Sequence, residues 1–346
     1  QRVEVLHLEP LSRAEVMTLL HARPNEVSDA DAFWHQAEQH GLIPLFGNPL
    51  LLDLTIKAVA SGGGAWPSTR QGIYEAACRQ LAIDRNIEHR AAKPLKSGEV
   101  DRLLNDAGLL CAVLLLSNKL SCSQGMDDSA DSLAWAALPE PLPLHDARAA
   151  LASKVFTTVA GRSTPRHRSI AEYLAAKALA KLIHQGLPLA RVLALMQGFD
   201  GKPVEPMRGL LAWLVVHHRA DRARLLQLDP LGIVLNGDVA ALGRSERIDL
   251  LKALGTAAKQ NQWFRKDAWV SHPFGPLATA DMAETYEAVL TDTARDETHQ
   301  AFIDCVFGAL HHGEHMPSLQ APPEARVADP LATMGNRIAA YRAWQR

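Results

Sequence analysis

Apolar stretches of helical length follow one another along this chain, and each lies between a helix start signal and a stop signal. Ser12 and Glu15 have capping-box spacing, in which each side chain satisfies a free backbone N–H of the other residue. Asn48 followed by Pro49 gives an N-cap and then proline at the first helical position. Later helices are expected at Pro206–His217, Ser245–Gln260, Ala280–Thr291 and Ala294–His312. The pattern therefore predicts a mainly α protein.

The middle of the chain departs from this pattern. Residues 121–145 are rich in turn-forming residues and indicate loops around one short helix. Farther on, KVFTTV and RHRSI flank AGRSTP, and β-branched residues on both sides of a glycine-containing turn predict a β-hairpin. Ser169 and Glu172 have the spacing of a second capping box, whose helix we expect to reach Gly186. Helix, helix, hairpin and helix in this order indicate a winged-helix module.

Helices separated by Gly, Pro and Asp continue beyond Pro188 without a strict repeat, as in an irregular α-solenoid. We therefore expect three domains. Residues 1–95 form a helical domain that opens on a short strand, residues 96–187 a winged-helix-like domain, and residues 188–346 a region of helical repeats.

Composition narrows the class of protein. The 346 residues include 36 basic and 38 acidic side chains, so no net field attracts nucleic acid or acidic lipid. The four cysteines are scattered, as in a cytoplasmic protein with reduced thiols. The most apolar run, Ala107–Leu116, is shorter than the ~20 residues that cross a bilayer. We expect a cytoplasmic protein without a membrane partner.

The search for catalytic motifs finds none. The sequence contains no GxxxxGK[ST] phosphate loop, no GxSxG and no HExxH. Histidines 311, 312 and 315 with Glu314 form a dense group, but histidine at a helix C-terminus is also favoured by the helix dipole. We assign no catalytic residue and no metal site.

Two segments, Leu42–Leu52 and Arg166–Ala176, resemble a known family. GNPLLLDL resembles the helical domain that follows the nucleotide-binding core in NACHT-type STAND ATPases. RHRSIAEYLAA resembles the histidine-bearing helix start of their winged-helix domain. The opening strand and the helix after it resemble the end of that core, so the resemblance covers roughly residues 1–190.

The resemblance implies roles for the two motifs. The family proline that contacts adenine falls on Pro49, with Gly47 and Asn48 as secondary candidates. The family histidine that reaches the β-phosphate of ADP and latches the closed state falls on His167. A histidine just before a helix N-terminus lies at the positive end of the dipole, where an anion is favoured. Arg166 and Arg168 flank this histidine and are secondary candidates for phosphate contacts.

The implied protein is a nucleotide switch. ATP or ADP, with magnesium, would be held by a core domain whose Walker motifs we expect before Gln1, since the chain opens without a methionine. The full-length protein would be the ATPase, with bacterial antiviral sensors among the relatives implied. A protein trigger bound by the C-terminal helices and self-oligomerisation are the other expected partners.

Two other interpretations stay open. Asn-Pro before an apolar run is a common helix start, and Arg-His-Arg beside a hairpin is typical of a solvated edge. The chain is then either a winged-helix DNA-binding regulator with a helical effector arm or a helical scaffold without a nucleotide. A regulator needs base-reading side chains, and its candidate helix, Leu144–Ser153, offers Arg148 followed by Lys154. Salt-dependent DNA binding would favour the regulator.

Overall fold

The computed structural model describes residues 10–39, 42–62, 64–83, 97–123, 131–138, 142–261, 263–264, 272–291, 297–319 and 321–345. Helices dominate these residues, and their strands form a small four-stranded sheet. The predicted mainly α fold is confirmed. The opening strand of the predicted helical domain, the stretch around residue 95 at its predicted end, and the start of the helix expected at Ala294 lie outside the described residues.

The chain separates into two compact units, residues 1–80 and 81–346. The helices that begin in the first unit are α1 (Arg13–His21), α2 (Ala30–Gln39), α3 (Pro49–Ser61) and α4 (Arg70–Ile83). The predicted capping box at Ser12 and Glu15 is confirmed. Three aromatic rings cluster in this unit, where Phe33 lies 6.0 Å from Phe46 and 4.6 Å from Trp66 between ring centroids.

The second unit holds the remaining helices. They are α5 (Ser97–Leu116), α6 (Ala147–Ala152), α7 (Arg168–His184), α8 (Leu189–Ala194), α9 (Arg208–His217), α10 (Arg222–Leu226), α11 (Pro230–Asn236), α12 (Arg244–Gln260), α13 (Ala283–Leu290), α14 (Glu297–His312), α15 (Ala321–Ala328) and α16 (Met334–Trp344). Within the described residues, no helix combines the length and apolar character that would span a bilayer.

The sheet belongs to the second unit and has the strand order β2-β1-β4-β3. Its strands are β1 (Ser121–Ser123), β2 (Ser132–Ala134), β3 (Phe156–Val159) and β4 (Arg162–Pro165). The predicted hairpin is present as β3 and β4, but its return strand was placed too late. Ala160 and Gly161 have φ values of 50° and 74°, so a two-residue turn suffices and the strand begins at Arg162.

The start of α7 also differs from the prediction. The helix begins at Arg168, with His167 at the N-cap, so Ser169 already lies inside the first turn. The predicted capping box of Ser169 and Glu172 is therefore wrong. Glu172 instead accepts a hydrogen bond of 2.9 Å from the Arg168 guanidinium, one helical turn away.

Helix α7 is central to the second unit because it packs against both α5 and α9. Helices α7 and α5 pack so closely that position 108 on α5 must be glycine, since a Cβ there would fall 2.5 Å from the carbonyl oxygen of Leu174 on α7. On the α9 side, the Tyr173 and Trp213 rings meet edge to face at 5.0 Å. The helices on both sides of α7 thus form one continuous packing with the C-terminal helices, where α9 packs on α11, α12 on α14, and α14 on α16.

Candidate functional site

The first motif forms an exposed helix start at α3. The Asn48 side-chain oxygen accepts hydrogen bonds from the backbone N–H groups of Leu50 and Leu51, at 2.9 and 3.3 Å. Pro49 follows at the first helical position and its side chain is exposed to solvent. A proline there loses no hydrogen bond and offers a flat apolar surface with no competing donor. Asn48 is therefore a capping residue, and Pro49 is available to an external group.

Gly47 allows the chain segment before α1 to come close to the start of α3. The backbone oxygen of Gly47 accepts a hydrogen bond of 2.8 Å from the N–H of Leu11. A Cβ on Gly47 would lie 3.0 Å from the Cβ of Pro10, which is tighter than an ordinary contact. Gly47 thus serves to bring the chain before α1 close to the start of α3, and this contact accounts for the glycine.

An ion-pair cluster that the sequence did not reveal holds α3 in place. Asp53, one turn after Pro49, binds Arg23 at 2.5 Å and Lys57 at 2.8 Å. Burial raises the pKa of the Asp53 carboxyl, but the hydrogen bonds and charges of Lys57 and Arg23 outweigh burial and leave the pKa below its ordinary value. The cluster positions the helix that presents Pro49. Arg23 lies far from Asp53 in sequence, so no local spacing indicated the pair.

The second motif forms the start of α7. His167 is half-buried, has extended backbone geometry (φ −144°, ψ 137°) and does not cap the helix with its imidazole. The seventeen-residue helix behind it directs the positive end of its dipole toward this residue. An imidazole in this position is suited to contact an anion at the helix terminus.

The two arginines beside His167 have different surroundings. Arg166 has an exposed side chain, and its backbone N–H donates to the carbonyl of Val155 at 2.8 Å. The guanidinium of Arg168 binds Glu172 and also donates to the backbone oxygen of Pro206, just before α9. Arg168 therefore ties α7 to the C-terminal helices, which leaves Arg166 as the better secondary candidate for a phosphate contact.

Pro49 belongs to the first compact unit and His167 to the second. Within each unit the residue lies at the N-terminus of a helix and reaches the surface. That the two residues meet on one nucleotide stays a prediction.

Two members of the C-terminal His/Glu group, His311 and Glu314, take part in contacts within the fold. The Nδ1 atom of His311 lies 2.9 Å from the backbone oxygen of Arg342, and the Glu314 carboxylate accepts from the N–H of Ala280 at 2.6 Å. Among the described residues, no group of three His, Cys, Asp or Glu side chains is arranged to hold a metal ion. These contacts link α14 to its neighbours.

The candidate DNA-reading helix is short. It corresponds to α6, whose six residues are capped by Asp146 and expose Arg148. The buried Asp106 carboxylate accepts from the N–H groups of His145 and Asp146, at 3.0 and 2.7 Å, and so anchors the start of the helix. One exposed cation on six residues gives little means of reading bases in a major groove.

Comparisons with protein families, with curated proteins and with solved structures find no match for this chain.

Proposed function

We propose that this chain is the regulatory and sensing part of a cytoplasmic NACHT-type STAND nucleotide switch, with antiviral defence as the setting that the family resemblance suggests. In this proposal a P-loop core domain holds ADP or ATP with magnesium. Pro49 packs on the adenine ring, and His167 binds the β-phosphate of ADP. The chain itself contributes no catalytic group. It stabilises the closed, ADP-bound form.

The observation that carries the proposal is the position of His167 at the N-cap of a long helix, beside the exposed Arg166. A phosphate there would gain from the helix dipole, from the imidazole and from one cation. The exposed face of Pro49 suits the other end of the same ligand, since an adenine ring stacks well on a rigid apolar surface. Both residues also occupy the motif positions of the family that the sequence resembles.

The contacts of α7 suggest how a trigger would act. Arg168 connects the first turn of α7 to Pro206, and Tyr173 packs on Trp213 of α9. A partner that displaces the C-terminal helices would therefore strain the turn that begins at His167. Thermodynamically, the trigger shifts the population only if it binds the open form more tightly than the closed form. ATP then replaces ADP, and the open protein oligomerises.

The test is the rate of ADP release from the protein that includes its P-loop core, in the same chain or supplied separately. We expect His167→Ala to release ADP roughly tenfold to a hundredfold faster, because a hydrogen bond to a charged phosphate is lost. The matched control is His184→Ala, which removes an exposed imidazole from the opposite end of α7. Equal release rates for the wild type and both variants would contradict the proposal.

A further inference from the structure

The last helix of the chain exposes a row of apolar side chains. Such side chains are normally buried against a neighbouring element when they recur along one face of a helix. The row on the helix consists of Met334, Ile338, Tyr341 and Trp344, with exposed fractions of 68, 45, 43 and 40 %, and Leu331 in the turn before the helix extends it with an exposed fraction of 77 %. Its spacing of three or four residues is that of a helix–helix contact seam. We call these five residues the α16 stripe.

The orientation of α16 is fixed by its opposite face. Asn336 is fully buried and donates to the backbone oxygen of Gln300 and to the Asp304 carboxylate on α14. Ala340 is fully buried, one turn farther on. Arg337 donates to the backbone oxygen of Val327 at 2.9 Å. Because these contacts determine which side faces α14 and α15, the α16 stripe faces solvent as a consequence of the fold.

Helix α16 itself carries two arginines, Arg337 and the exposed Arg342, and no Asp or Glu. The Asp329 carboxylate lies in the turn before the helix, where it accepts a hydrogen bond from the N–H of Leu331 and pairs with Arg326. The helix thus combines an apolar seam with a positive flank. A surface of this kind attracts a negatively charged partner and disfavours a positively charged one.

We propose that the α16 stripe is the docking surface for an amphipathic helix of another protein, whose apolar face is flanked by Asp or Glu. Apolar residues of the partner would pack between Met334, Ile338 and Tyr341, as in other helix-in-groove interfaces. Its acidic residues would pair with Arg342 at the edge of the seam. The surface does not depend on a nucleotide, so the proposal is independent of the switch mechanism.

Two other occupants fit the charges less well. A second copy of this chain would bring Arg342 against another positive flank, which opposes symmetric pairing. Anionic membranes are usually recognised by clusters of about four to eight Lys or Arg residues. Helix α16 carries two arginines, which lie more than one turn apart. Both occupants are outcomes that the experiment distinguishes.

The experiment measures binding of the chain to a synthetic helical peptide of about three heptads, with Leu at the seam positions and Glu at the flanking positions. A second peptide carries Lys in place of Glu. We expect the Glu peptide to bind and the Lys peptide to bind roughly tenfold more weakly. Met334→Ala and Ile338→Ala should each weaken binding of the Glu peptide, whereas Leu195→Ala, which truncates an exposed leucine elsewhere, should not.

Arg342→Glu gives the sharpest test, because a charge reversal on an exposed side chain leaves the fold intact and should reverse the peptide preference. Equal binding of both peptides to the wild type, or a preference that Arg342→Glu leaves unchanged, would overturn the proposal. Stripe-dependent self-association of the chain, or binding to phosphatidylserine vesicles in place of the peptide, would overturn it as well. Thermal melts of each variant verify that the fold is retained.

Discussion

Gly209 is in close contact with the carboxylate of Glu172, because a Cβ added to this glycine would fall 2.2 Å from Glu172 Oε2. The same carboxylate binds Arg168, whose guanidinium donates to the backbone oxygen of Pro206. The first turn of α7 is therefore held against the start of α9 by the Glu172 carboxylate and the Arg168 guanidinium. Under the proposed mechanism, this junction transmits movement of the C-terminal helices to His167.

Gly209→Ala should disturb the junction. The new methyl group displaces the Glu172 carboxylate, which then loses its position against Arg168, at a cost of about 1 kcal/mol. The measurement is the free energy of unfolding from denaturant titration. Glu172→Ala removes the colliding group, so Gly209→Ala should cost nothing further in that background.

A matched control for this series is Gly98→Ala, near the start of α5, where an added Cβ meets no atom within 4 Å. It should leave the stability unchanged or raise it by roughly 0.5–1 kcal/mol, as alanine does in an open helical position. If Gly209→Ala destabilises the protein equally with and without the Glu172 side chain, the contact with the Glu172 carboxylate is not the cause.

The turn of the β-hairpin stores strain at Ala160, whose φ of 50° is unfavourable for a residue with a Cβ. Ala160→Asn should stabilise the protein by roughly 0.5–1 kcal/mol, because Asn-Gly is the preferred sequence for a two-residue turn of this type. Gly161→Ala should have the opposite effect, since φ at that position is 74°. Thermal melting distinguishes the two variants, and a gain from both would contradict the assigned turn.

Stability in acid should depend on Glu246. Burial raises the pKa of its carboxyl, but hydrogen bonds from the Gly243 N–H and from Arg222 outweigh burial and hold the pKa below its ordinary value of 4.5. The depressed pKa contributes stability that is fully present above pH 4.5 and is lost as the pH falls through the folded-state pKa. The buried Arg222 also donates to the backbone oxygens of Val215 and Val216, so this contact holds α9, α10 and α12 together.

Glu246→Gln should therefore destabilise the protein at neutral pH by about 1 kcal/mol, and the difference from the wild type should shrink as the pH falls through the folded-state pKa of Glu246. Denaturant titration at several pH values measures this effect. Glu324→Gln, at an exposed position on α15, is the control for the loss of one carboxylate and should change the stability at neutral pH less than Glu246→Gln does. A stability difference that is independent of pH would refute the contribution assigned to the Glu246 charge.

The sequence predicted correctly those features that depend only on residues close to one another along the chain. The cap at Asn48 and the capping box at Ser12 were predicted correctly because each depends on residues within one turn. The return strand of the hairpin was misplaced because alanine at positive φ is not a common turn signal. Strands β1 and β2 were missed, since each has three residues and is formed by pairing with distant partners.

The candidate site was predictable only in part. Pro49 lies at the first helical position as predicted, whereas His167, predicted to precede an N-cap, is itself the N-cap. The residues that position their helices, Asp53 with Arg23 and Arg168 with Pro206, form contacts between distant parts of the sequence. Such pairings depend on how the helices pack, which no local spacing encodes.

In the proposed switch, Pro49 and His167 contact opposite ends of one adenine nucleotide. The most direct measurement compares dissociation constants for ADP and AMP in the protein with its P-loop core, for Pro49→Ala, His167→Ala and the exposed control Pro24→Ala. Pro49→Ala should weaken both nucleotides equally, whereas His167→Ala should weaken ADP by roughly tenfold or more and leave AMP unchanged, because AMP has no β-phosphate. Unchanged ADP affinity in both variants would contradict the account.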